Sequence, residues 1–150
     1  MPQSLGRLVI HLIFSTKERR AMIGEALQPD VNRYIAGILK KLECPAVIVG
    51  GAADHVHVLF NLNRSRSVSD VVEEVKTGSS KWIKTKGEGL DAFAWQNGYG
   101  AFSVSESMVA QVKTYIEKQA EHHRKTSFQE ELVAFLKKHR IEYDEKFIWE

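Results

Sequence analysis

Residues 54–62, DHVHVLFNL, constrain this chain more than any other stretch. β-Branched and aromatic side chains dominate it, which is the composition of a strand. Side chains two apart on a strand leave the same face, so His55 and His57 point one way and Val56 and Val58 the other. A fold that contains this strand must satisfy two unlike faces, one apolar and one carrying a pair of imidazoles.

The same reading of periodicity organises the rest of the chain. Residues 7–14 include LVIHLIF, which is too short for a membrane span and is interrupted by His11, so it reads as a buried strand. Residues 29–42 place Val31, Tyr34, Ile35, Ile38 and Leu39 on one helical face. Cys44-Pro45 ends that helix, because the residue before a proline avoids helical geometry. Residues 46–50 make a second strand, Gly50-Gly51 a turn, and residues 55–62 the histidine strand. A helix starting after Ser67 or Ser69 carries Val68, Val71, Val72 and Val75 and continues past Gly78 to Trp82. Residues 99–104 form a fourth strand, followed by helices over 105–124 and 128–139.

This βαββαβ order predicts an α+β fold with a ferredoxin-like antiparallel sheet and C-terminal helices. Its length suits one domain over residues 1–150, with a core at about 5–125 and a helical extension at about 126–150. KTKGEGLDAFAWQNGYG is the one long irregular segment, of a length at which loops are often functional or mobile.

Composition excludes some classes and leaves others open. Cys44 is the only cysteine, so an internal disulfide and a cysteine-rich zinc site are excluded, and a reducing cytoplasm is the expected compartment. No secretion signal, membrane span or nucleotide-binding loop is visible. The net charge of +2 is small, but basic residues cluster locally. Lys17, Arg19, Arg20, Lys76, Lys81 and Arg124 are the candidate nucleic-acid contacts; any one such cluster is more often a solvated face.

The candidate chemistry lies in two places. With six histidines in 150 residues, an HxH pair arises by chance in roughly a quarter of such chains, so His55 and His57 alone decide little. On the helix expected over 105–124, Tyr115 and Gln119 are neighbours one turn apart. A tyrosine there is ordinarily a core residue with its hydroxyl at the rim, and a glutamine a surface residue. Asp54 either orients an imidazole or is simply a turn residue, and Trp82, Trp95, Tyr99 and Phe102 either stack on bases or pack.

Taken in order, GGAADHVHVLF, WQNGYGAFSVS, YIEKQAEHH and the terminal EYDEKFIWE resemble the small HUH single-tyrosine transposases, the IS200-like group and its repeat-associated relatives. The resemblance runs from HLIFSTKERR to the last residue. It implies that His55 and His57 are paired metal ligands, Tyr115 the nucleophile and Gln119 the third ligand, with His122 and His123 as lesser competitors. It implies magnesium as cofactor, with manganese as a substitute. It further implies cleavage and rejoining of single-stranded DNA at hairpin ends through a 5′-phosphotyrosine, without ATP. An obligate homodimer is implied as well, in which each tyrosine helix serves the partner's histidine pair. A non-catalytic or domesticated single-stranded nucleic-acid binder on the same fold, and a metal-dependent hydrolase that uses water in place of Tyr115, remain the other readings.

Overall fold

Strands β1 (Val9–Ser15) and β3 (His55–Asn61) lie at the middle of a four-stranded antiparallel sheet, with β2 (Ala46–Ala52) and β4 (Gly100–Val104) at its edges. The computed structural model describes residues 2–119 and 126–150; Arg124, His122 and His123 lie outside the described residues. The strand order β2-β3-β1-β4, with crossovers through α1 (Gln28–Lys41) and α2 (Val68–Ile83), is the split βαβ arrangement.

The period-2 alternation of β1 and β3 divides the sheet into two faces. Leu12, Phe14, Val56, Val58 and Phe60 pack with Val31, Ile35, Leu39, Val71 and Val75 of α1 and α2. The opposite face is covered by α3 (Val109–Glu117) and α4 (Phe128–Lys138), through Val9, Leu59 and Ile116 in one cluster and Ile13, Phe102, Phe128 and Leu132 in another. Ser67 and Ser127 cap α2 and α4, each hydroxyl accepting a backbone N–H three residues on.

Three local expectations are altered. Gly50 and Gly51 lie inside β2, and the turn is at Ala53-Asp54. The reason is steric: a Cβ on Gly50 would stand 2.8 Å from Ile116 Cγ2 and 3.0 Å from Ile116 O, and one on Gly51 would stand 2.3 Å from His55 O. Glycine at position 50 lets α3 settle directly on β2.

The helix expected over 105–124 is divided. A short 3-10 turn, Glu106–Met108, precedes α3, and α3 ends at Glu117 with Lys118 in a turn before Gln119.

The long irregular segment is pinned down. Phe93, Trp95 and Gln96 are buried, and the Trp95 indole donates to Ser79 Oγ. Gln96 accepts from the Ser15 N–H and donates to the carbonyls of Ile148 and Glu150. The C-terminal residues Tyr143, Ile148 and Trp149 pack on the α4 cluster, while Ile141 and Phe147 remain exposed.

Candidate active site

On β3 the alternation carries His55 and His57 to the face covered by α3 and α4, where both are fully buried. Asp54, in the turn before β3, accepts the Nδ1–H of His55 at 2.7 Å. That puts the lone pair of His55 on Nε2, and Gln119 Oε1 stands 3.2 Å from it. His57 lies next on the same face, its ring 5.2 Å from that of His55 between centroids.

Tyr115 reaches the same place from α3. Its ring meets that of His57 edge-on at 5.9 Å, and its hydroxyl donates to Glu131 Oε2. The neighbouring Ile116, seated over Gly50, packs with Val9 and Leu59 and holds this end of the helix.

Glu131 was not among the residues expected from the sequence. It projects from the first turn of α4, is 4% exposed, and joins both halves of the site. Its Oε1 lies 2.8 Å from His57 Nε2 and 3.8 Å from His55 Nε2. Its Oε2 accepts from Tyr115 and, at 3.3 Å, from the Gln119 amide. One signal could have found it: Phe128, Glu131, Leu132, Phe135 and Leu136 recur at helical spacing, so a carboxylate occupies the apolar stripe. His11 was also passed over. It is 1% exposed on β1, and its Nε2 lies 2.8 Å from His57 Nδ1.

The electrostatics follow from burial. Desolvation, the hydrogen bond to Glu131 and the charge of Glu131 push the Tyr115 hydroxyl well above its ordinary range, with Gln119 opposing. Desolvation and the adjacent His57 pull the His11 imidazole down to about 3, although Glu131 favours its charge.

The donor set suits a divalent cation. Ligand atoms of His55, His57 and Glu131 lie within 4.8 Å of one another, and all three residues are buried. Two ligands bound at right angles about 2.1 Å from one ion would stand about 3 Å apart. The His55 and Gln119 atoms at 3.2 Å are near that spacing, and both are lone-pair donors. Beyond Tyr115 a cavity of about 450 Å³ opens between α3 and α4, lined by Met108, Val112, Phe135 and Lys138 among others.

Residues 4–119 match the family described as Transposase IS200 like. The chain belongs to the IS200-like transposase family. It is 24% identical over 118 residues to the ISDra2 transposase TnpA of Deinococcus radiodurans, covering 75% of this chain and 84% of the relative. Its fold is similar to the crystal structure of a candidate transposase from Deinococcus radiodurans R1, with TM-score 0.62 and 24% identity over 79% of this chain and 98% of the other. It is also similar to a REP-associated tyrosine transposase bound to a REP hairpin, with TM-score 0.56 and 9% identity over 83% of this chain and 72% of the other. At these identities the structural likeness is one of fold.

The described basic residues expected to touch nucleic acid stand in unlike surroundings. Lys17 and Lys81 are exposed, Arg20 pairs with Glu18 at 2.7 Å, and Arg19 lies over the Trp149 ring. Lys76 instead turns inward, donating to the carbonyls of Gln96, Asn97 and Gly98, and burial pulls its ammonium down to about 8. Trp95 and Phe102 are buried, Trp82 stacks on Tyr34, and Tyr99 is exposed. None of the described helices is long and apolar enough to cross a membrane.

Proposed function

We propose that this transposase cleaves and rejoins single-stranded DNA at hairpin-flanked ends, with Tyr115 as nucleophile and a 5′-phosphotyrosine as intermediate. The observation that carries the reading is the convergence on one point of His55 and His57 from β3, Tyr115 from α3, Gln119 from beyond the end of α3 and Glu131 from α4. His55 Nε2, His57 Nε2, Gln119 Oε1 and Glu131 Oε1 would hold a divalent cation, magnesium in the cell with manganese able to replace it. Such an ion supplies charge stabilisation for a transferring phosphoryl group and helps align it.

The chain's own groups divide the remaining work. Tyr115 Oη attacks phosphorus in line and the 3′-oxygen leaves, so one phosphoester replaces another and the step can be reversed by a 3′-hydroxyl without ATP. The phenol must lose its proton to attack, and burial holds that proton tightly. Glu131 Oε2 already accepts it in a hydrogen bond and is the atom placed to take it. The cavity beside Tyr115 offers a flexible single strand an approach that a rigid duplex would lack. Lys17, Arg19, Arg20, Lys81 and Arg124 would guide its phosphates, and Lys76 would act by holding the loop that ends in β4. A homodimer is part of this reading, as is action in the cytoplasm.

The test is incubation of the purified protein with labelled single strands from the DNA flanking its gene, with magnesium or manganese, and denaturing gels for a protein-linked product. An adduct that needs metal and vanishes in Tyr115→Phe is expected. Tight binding with no adduct on the correct flanks would favour a non-catalytic binder. Cutting that survives Tyr115→Phe would favour a hydrolase that uses water.

A further inference from the structure

His11 has no place in the chemistry above, yet it is buried against one of the two histidines on which that chemistry depends. We propose that His11 is a positioning residue whose hydrogen bond with His57 reverses direction when metal binds, so that His57 can present Nε2 to the ion. This rests on the reading of His57 as a ligand.

Glu131 Oε1 lies 2.8 Å from His57 Nε2, and a carboxylate in such a contact accepts, which places a hydrogen on Nε2. A neutral His57 then accepts at Nδ1, and His11 donates to it from Nε2 across 2.8 Å. A metal ion requires the Nε2 lone pair, so the ring must carry its hydrogen on Nδ1 instead. The same His11 Nε2 must now accept, and it does so once His11 holds its own proton on Nδ1. Each ring keeps one proton throughout, so neither histidine need become charged in this pocket.

An imidazole is suited to this post. An aspartate in place of His11 would only accept and a lysine would only donate, whereas a neutral imidazole does either. The two ligand histidines are therefore supported differently. His55 is preset by Asp54, which accepts its Nδ1–H directly. His57 must serve Glu131 in one state and a cation in the other, and His11 follows it. The rings of His11 and His57 lie end to end, 5.1 Å between centroids, as their hydrogen bond requires, and Phe135 meets His11 edge-on at 5.1 Å, so packing against Phe135 holds the ring as well as the hydrogen bond.

The experiment has two arms on the full chain. In the first, the imidazole nitrogens of wild-type protein are followed by nitrogen-15 NMR through a magnesium titration; His57 and His11 should both move from Nε2–H to Nδ1–H. In the second, manganese affinity is measured by calorimetry. His11→Phe should weaken binding by about 10- to 100-fold, the range typical of lost partners to ligating histidines. His11→Gln, whose amide can also donate or accept, should restore most of it, a recovery that a purely packing role would not produce. Metal bound with both tautomers unchanged, or wild-type affinity in His11→Phe, would overturn this inference and leave the metal reading standing. A wild-type protein with no metal bound through His55 and His57 would overturn both.

Discussion

Glu131 divides its two oxygens between two tasks, Oε1 toward the histidines and Oε2 toward Tyr115 and Gln119. Two of the three influences that raise the Tyr115 hydroxyl come from this carboxylate. Glu131→Gln should therefore let the phenol ionise at lower pH, read as an earlier rise of phenolate absorption relative to wild type. With the folded value above the ordinary 10.0, the folded state holds the proton that the unfolded chain releases, so stability falls as the pH climbs above about 10. Urea unfolding should show a shallower alkaline loss in Glu131→Gln; an unchanged slope would mean that Glu131 does not govern the phenol. His11 gives the opposite limb. Its folded value near 3 lies below the ordinary 6.5, so the unfolded chain binds the extra proton and stability is lost as the pH falls from 6.5 toward 3. His11→Gln should reduce that acid loss in the same titration.

At the scale of elements, the seat of α3 on β2 sets where Tyr115 stands. Gly50 pairs with His57 across the sheet and lies under Ile116, the residue after Tyr115. Gly50→Ala should push against the Ile116 carbonyl and cost roughly 1–3 kcal/mol, the usual range for overpacking a filled site. Because the displaced backbone adjoins Tyr115, the rate of adduct formation should fall more than affinity for the strand, which single-turnover kinetics beside a binding titration would separate. The expected turn at Gly50-Gly51 had a reason that no local pattern carries: these glycines serve contacts with α3 and with the backbone of β3. The strand and helix order was legible because its signals are local, in the alternation of residues 55–61 and the apolar stripes of α1, α2 and α4. The break at Lys118 was not, since no glycine or proline stands at or beside it to mark it.

For the whole molecule, one chain brings Tyr115 to its own histidine pair, with Glu131 from the same chain between them. If this arrangement is the working one, mixing inactive Tyr115→Phe with inactive His55→Ala should restore no adduct; helices exchanged between subunits would instead rebuild one intact site per mixed dimer. Family membership rests on residues 4–119, whereas α4 and Glu131 follow that stretch. By itself, the sequence determined the βαββαβ order, the common face of His55 and His57, and the nomination of Tyr115 and Gln119 by resemblance. These depend on neighbours within a turn or two of chain, or on segments read in order. The tertiary structure alone decided that Glu131 and His11 belong to the same centre. They meet His57 across 74 and 46 residues of sequence, and an apolar face that buries a polar side chain on a distant strand or helix leaves no local periodicity to announce the partner.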